Sequence, residues 1–184
     1  METPLVQNPT KVATKWALIY TLTAIVITYA FQFLNVDPTS PLKYITYIPF
    51  IAFLMMAQKE YRDAIGGYIS FGDAFSTGFR YSLFAGLLIA VFSYLYLAIL
   101  SPGVWDKVLE TTRTQLEEKN MSSSQIDQAM TITKKWGPLI GAFGAAIAYA
   151  VFGAILSLIG AAIFKKERSP YDLAQNAVDP TDEV

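Results

Sequence analysis

The chain has 184 residues, 53% of them hydrophobic, with 14 Lys and Arg against 15 Asp and Glu and a formal net charge of −1. That balance gives no bulk attraction for nucleic acid, and none is expected as a partner. There is no Cys and no His, which excludes disulfide frameworks, thiolate and imidazole metal sites, histidine general bases and Cys–His catalysis.

Charge is absent from four stretches: 16–36, 44–58, 81–105 and 136–164. A hydrocarbon core of about 30 Å takes about 20 mainly apolar residues to cross as a helix. Three stretches meet that length, and the second meets it with help from its flanks. The pattern predicts an all-α integral membrane protein, a four-helix bundle whose lipid bilayer is its first partner. Its spans lie at about 16–35, 42–58, 79–100 and 137–164, within a single membrane domain over residues 1–168.

Residues 1–14 read as a short polar tail. Lys11 and Lys15 could form the basic region of a cleaved leader, but the uncharged block after them exceeds the usual apolar core of a leader, about 7–15 residues. Thr28-Tyr29-Ala30 is also a poor cleavage site, so the first span is expected to be a retained anchor. A turn with Pro38 and Pro41 follows. In the second span, Pro49 is expected to kink the helix by freeing a backbone carbonyl, a defect that a neighbouring helix can cover. Lys43 and Lys59 extend that short span by snorkelling.

The connector 59–80 carries a break at Gly66-Gly67 and then Ser70-x-x-Asp73, a capping box in which a hydroxyl and a carboxylate satisfy the first backbone amides. Phe71, Ala74, Phe75, Gly78 and Phe79 recur at three- and four-residue steps. The third helix therefore begins as an amphipathic segment at the membrane surface and runs longer than the core requires.

In the helical loop 101–135, Val104, Val108, Leu109, Thr112 and Leu116 share one helical face. Asn120 is a stop. Ser122-x-x-Gln125 is a second capping box, opening a helix with Ile126, Ala129, Met130, Thr133 and Trp136 on one side. The prediction is an extracytoplasmic amphipathic helical hairpin between the third and fourth spans, its second helix feeding the last span. That span places Gly137, Gly141 and Ala145 at four-residue steps, then Gly153 and Ser157. Small residues so spaced let helix backbones approach closely. The row serves either packing within the bundle or homo-oligomerisation. The chain then ends in a polar segment, 169–184, expected to be disordered.

With the N-terminus cytoplasmic, the inner side holds Lys11, Lys15, Lys59, Arg62, Arg80, Lys165, Lys166 and Arg168. The outer side holds Lys43, Lys107, Arg113, Lys119, Lys134 and Lys135. The inner set is larger and tighter to the span ends, so both termini are expected in the cytoplasm.

The span interiors carry hydroxyls and one amide (Thr21, Thr28, Gln32, Ser82, Ser93, Ser157) and tyrosines such as Tyr20 and Tyr149. They could line a polar path or a small-ligand cavity, but hydroxyls bonding their own helix and tyrosines anchoring at the interfaces are the preferred reading. No ionisable acid or base lies at mid-membrane depth, which excludes proton relays, ion-coupled transport and voltage sensing. Phe71-Gly72-Asp73 resembles a membrane aspartyl protease element, but no second aspartate sits in a span to share its proton. No P-loop, dinucleotide fingerprint or nucleophile elbow is present. No catalytic, cofactor-binding or metal-binding residue is assigned.

The run 66–79, Gly-Gly-Tyr-Ile-Ser-Phe-Gly-Asp-Ala-Phe-Ser-Thr-Gly-Phe, resembles the mid-section of a bacterial membrane family, domain of unknown function 4199. So does the run 116–130, followed by a small-residue span ending in Lys165-Lys166. The resemblance covers about residues 11–168 and implies a four-pass protein of the bacterial inner membrane. It implies no activity and no catalytic residues. Ser123 and Ser124 stand where the family usually has acidic residues, which leaves this helix start less negative.

The expected function is a non-enzymatic scaffold or accessory subunit of a membrane complex, its outer hairpin contacting a membrane-protein partner. An oligomeric small-solute channel or carrier is the alternative. A lipid-modifying enzyme using Asp73 with Tyr61 or Tyr68 ranks third.

Overall fold

The computed structural model describes residues 8–37 and 40–167. The polar tail expected over 169–184 lies outside the described residues, as do residues 1–7, Pro38, Thr39, Arg168 and the side chain of Lys43. Five α-helices follow one another: α1 (Pro9–Phe33), α2 (Tyr47–Ala64), α3 (Phe71–Leu95), α4 (Pro102–Glu118) and α5 (Ser123–Phe164). A 3-10 turn, Pro41–Thr46, leads into α2, and a π turn, Tyr96–Leu100, extends α3.

Among the described residues, three stretches are long and apolar enough to cross a membrane: Pro9–Phe33, Phe71–Leu100 and Ser123–Phe164. Around them Leu22, Val26, Leu87, Val91, Phe143 and Ile147 stand exposed. A bilayer solvates such a surface, whereas in water it would drive aggregation. The chain is an all-helical membrane protein. α2 is not among the three; it is 18 residues long and carries Lys59, Glu60, Arg62 and Asp63 in its later turns.

The start of α1 corrects one expectation. Residues 9–14 are helix rather than polar tail: Asn8 Oδ1 accepts from Thr10 N at 2.9 Å, and Pro9 occupies the first turn, where its missing N–H removes nothing. Val12 and Ala13 are buried as a result. Pro49 corrects another. It is the third residue of α2, directly after the 3-10 turn, so it opens the helix instead of kinking it. The proline inside a helix is Pro138 of α5, which leaves the Lys134 carbonyl without its ordinary i+4 donor.

Helices α1, α2 and α4 end in the same way. Asn35, Gly66 and Asn120 adopt positive φ (54°, 93° and 57°). The next residue then reaches back five positions: Val36 N to Phe31 O (2.9 Å), Gly67 N to Arg62 O (2.9 Å) and Met121 N to Leu116 O (3.4 Å). These are Schellman closures, and asparagine and glycine tolerate the left-handed conformation they require.

The core is aromatic. Tyr20, Phe50 and Tyr81 are fully buried, and Tyr149 nearly so. Phe50 meets Tyr149 edge-on at 4.9 Å and Tyr20 at 5.3 Å between ring centroids. The hydroxyls find partners within the core: Tyr20 bonds Tyr149, and Tyr81 donates to the Phe50 carbonyl at 3.0 Å. Tyr20 and Tyr149, expected as interfacial anchors, are therefore core residues that fasten α1 to α5. Thr21, Thr28, Ser82 and Ser157 donate to carbonyls four residues back in their own helices.

The small-residue row of α5 serves two surfaces. Gly153 and Ser157 are buried, and a Cβ on Gly153 would overlap Ser82 of α3. Gly160, which the spacing argument passed over, lies against the Gln58 amide so closely that a Cβ would collide with Oε1. Gly137 lies under the Trp105 ring of α4, where a Cβ would come within 2.5 Å. Gly141 does not pack: a Cβ there would meet nothing within 4 Å, and the residue faces outward. Ala145 is half-buried. Of the expected row, Gly153 and Ser157 lie in the contact with α3, Gly137 lies against α4, and Gly141 faces outward.

Gly160→Ala is expected to lower the thermal stability of detergent-solubilised protein by about 1–3 kcal/mol through overpacking. Gly141→Ala should leave it unchanged or raise it by up to about 1 kcal/mol through helix propensity. Thermal unfolding followed by circular dichroism checks both; equal responses would refute this division of the row.

Candidate functional site

The bundle has two ends. At one lie the starts of α1 and α3 and the ends of α2 and α5, and its polar groups are engaged in holding them. Glu60 accepts from Lys15 Nζ at 2.5 Å and from Trp16 Nε1 at 2.9 Å. Arg80 Nη1 donates to Thr10 Oγ1 at 3.1 Å. Ser70 Oγ accepts from Asp73 N at 3.1 Å and donates to the Asp73 carboxylate at 2.7 Å, so both capping residues serve the start of α3. Burial raises the Tyr61 phenol above its ordinary pKa, Asp73 adding to this and Arg80 opposing it. An antiparallel backbone pair, Ile69 N to Lys166 O (2.9 Å) and Lys166 N to Ile69 O (3.0 Å), ties the α5 exit to the α3 entrance.

Just inside this end lies Gln58, a polar side chain with 0% exposure. Its Nε2 donates to two backbone carbonyls, Ala74 of α3 and Ser157 of α5, each at 3.0 Å. Two acceptors require an NH2 group, which fixes the amide orientation. Oε1 then has no hydrogen-bond partner and rests on the Cα of Gly160, a weak C–H···O contact.

The opposite end is different. There α1, α3, α4 and the turn before α2 leave a cavity of about 650 Å³. Pockets that hold small molecules have volumes of about 300–1,000 Å³. Its floor is apolar, made by Ala24, Ile89, Phe92 and Tyr149, with Thr28 and Ser93 on the walls. Its rim holds Asn35, Asp37 and Lys107.

The π turn organises the rim. Ser101 N bonds Tyr96 O at 2.8 Å, a five-residue step, and the wider turn brings both side chains to the side facing α1. There Gln32 Nε2 donates to Ser101 Oγ at 3.1 Å, and the Tyr96 hydroxyl donates to Gln32 Oε1 at 3.2 Å. Pro102, lacking an N–H, then opens α4. Sequence reasoning noted Gln32 among the span polar groups but missed its partners. The Ser101-Pro102 pair late in the uncharged block 81–105 was the available signal.

Beyond the cavity, α4 and the first part of α5 form a helical hairpin. Ser122 N and Oγ both donate to Gln125 Oε1 at 3.0 Å, which caps α5. Leu109 and Ile126 are buried between the two helices, and the Trp105 indole N–H is buried without an acceptor. Arg113 bridges Glu117 at 3.2 Å along α4 and reaches Asp127 of α5 at 3.9 Å. Ile132, 58% exposed, faces outward.

Gln32→Ala removes the side chain that bonds both Tyr96 and Ser101. Interhelical hydrogen bonds in membranes contribute about 0.6 kcal/mol each, up to about 1.7. The variant should lose about 1 kcal/mol, and amide exchange over 96–108 should accelerate by about fivefold. Unchanged exchange there would show that α4 is positioned by other contacts.

The model of a family described as "Protein of unknown function (DUF4199)" matches residues 15–166. No curated protein and no solved structure matches the chain.

Proposed function

The chain belongs to this family of unknown function, and from its architecture we propose a non-enzymatic, multi-pass scaffold or accessory subunit of a bacterial inner-membrane complex. In this reading α2 is a fourth, shorter span and both termini are cytoplasmic. Leu42, Ile45 and Ile48 extend the exposed apolar girdle onto the 3-10 turn and α2, while Phe50 and Leu54 face the core. The basic residues Lys11, Lys15, Lys59, Arg62, Arg80, Lys165 and Lys166 gather at the terminal end.

The carrying observation is the length of α5. Its 42 residues correspond to about 63 Å of helix, twice the hydrocarbon core of about 30 Å. The surplus stands outside the bilayer, capped and paired with α4, as a folded platform for another protein. Tyr20, Tyr81, Tyr149 and the Gln58 NH2 group use their polar atoms to hold helices together, which supports a role in binding rather than in chemistry.

The second reading is an oligomeric small-solute channel or carrier. It rests on Gly141, Gly144 and Ala148, which form an outward-facing small-residue strip on α5.

Because the chain has no cysteine, single-cysteine variants report topology cleanly. Ser40→Cys and Glu110→Cys should react with an impermeant maleimide on spheroplasts, and Asp63→Cys only after lysis. Equal reaction of Ser40→Cys and Asp63→Cys would mean that α2 does not cross.

A photo-crosslinker at Gln128 or Ile132 should yield discrete heavier adducts in cells, with none from Leu87 on the lipid face. Loss of hairpin adducts would overturn the scaffold reading. Adducts of twice the chain mass from Gly141 or Ala148 would favour the oligomer.

A further inference from the structure

We propose that the hairpin-end cavity binds one uncharged amphiphile, a molecule with an apolar chain and a neutral head that presents carbonyl or hydroxyl oxygens, such as an acyl glycerol. The inference stands apart from the scaffold reading, since it concerns the bundle interior beneath the hairpin.

Three observations carry it. First, the cavity of about 650 Å³ is deep, and its lining changes with depth. From Ala24 on the floor to Gln32 near the mouth is eight residues of α1, about 12 Å of helix. Ala24, Ile89 and Phe92 give the lower part apolar walls, and hydroxyls and amides lie above them. An acyl chain suits such a floor, whereas a fully polar solute would lose its water there without gaining partners.

Second, hydrogen-bond donors are left over at the level of the head. Thr21, Thr23, Thr28, Ser82 and Ser157 each donate to the carbonyl four residues back in their own helix. Ser93, on the cavity wall, does not: its hydroxyl makes no hydrogen bond among the described residues. Gln32 Oε1 accepts from Tyr96, while Nε2 spends one N–H on Ser101 and keeps the other. The π turn holds this trio in place, and such departures from regular helix are frequent at functional sites. Donors without acceptors beside an apolar floor call for a ligand oxygen.

Third, the mouth favours neither sign of charge. Asp37 already has an interaction within the chain. Lys107 on the same rim is exposed to solvent, and the two formal charges cancel. A charged head would give up water for a mouth with no net charge, a penalty that a neutral head avoids.

The test uses the full chain in phosphatidylcholine nanodiscs and, as probe, monododecanoyl glycerol with a diazirine at the end of its chain. After photolysis, tandem mass spectrometry locates the adducts. Labelling should saturate, with adducts within 24–28 and 89–93, and an excess of unmodified monododecanoyl glycerol should reduce it about tenfold. Dodecanesulfonate and dodecyltrimethylammonium at equal concentration should reduce it by less than about twofold, and free glycerol should have no effect. Ser93→Ala removes a head-level donor and should raise the half-saturating probe concentration about fivefold. Ser93→Phe fills the wall and should abolish the saturable part, and circular dichroism confirms that each variant is folded.

Unsaturable labelling of Leu22, Val26, Leu87 and Val91 alone would mean boundary lipid and would overturn the proposal. Competition by either charged amphiphile as strong as that by the glycerol ester would also overturn it. So would an unchanged half-saturating concentration in Ser93→Ala, since the free hydroxyl would then contribute nothing.

Discussion

Inside a bilayer no water is available to satisfy a polar group, so each one buried there must find its partner in the protein. Gln58 shows what this does to the fold. Its NH2 group reaches the carbonyls of Ala74 and Ser157 together only if α2, α3 and α5 meet at one point. The meeting requires Gly160, and Gly78 on α3, where a Cβ would come within 2.7 Å of the same amide. The tight α3–α5 contact, the placement of α2 and the packing of the tyrosine core above them follow from that closeness. An apolar residue at 58 would remove the side chain that ties α2 to α3 and α5 at once.

Much of the architecture was legible in the sequence because charge and periodicity carry it. The uncharged blocks mark the three long helices, and the capping boxes at Ser70 and Ser122 mark where α3 and α5 begin. Less legible were features decided by contacts between helices. Pro49 looked like a kink because its position within the helix could not be judged before the 3-10 turn was known. Gly141 and Gly153 share one sequence pattern, yet the rotation of α5 against α3 buries one and exposes the other. The tyrosines are ambiguous for the same reason, since only their mutual geometry separates an interfacial anchor from a core hydroxyl pair. The hairpin-end cavity was least visible, because it depends on a π turn that no spacing rule announces.

The two ends also differ in their economy of polar groups. At the terminal end, ion pairs, caps and a backbone bridge engage the side chains in closing the bundle. At the hairpin end a comparable set of amides, hydroxyls and charges surrounds open volume. A membrane bundle that needed only to persist would fill that space with leucine and phenylalanine.

Pro138 has a mechanical consequence. α5 runs unbroken from the hairpin to the Gln58 contact, so it acts as a lever with one arm outside the membrane and one within. A lever turns where it is softest, and the missing hydrogen bond at Pro138 places that point beside Gly137, under the Trp105 ring. Bending at that point leaves the inner arm's register against Gln58 and α3 in place, because the contact at Ser157 lies about five turns further along the helix.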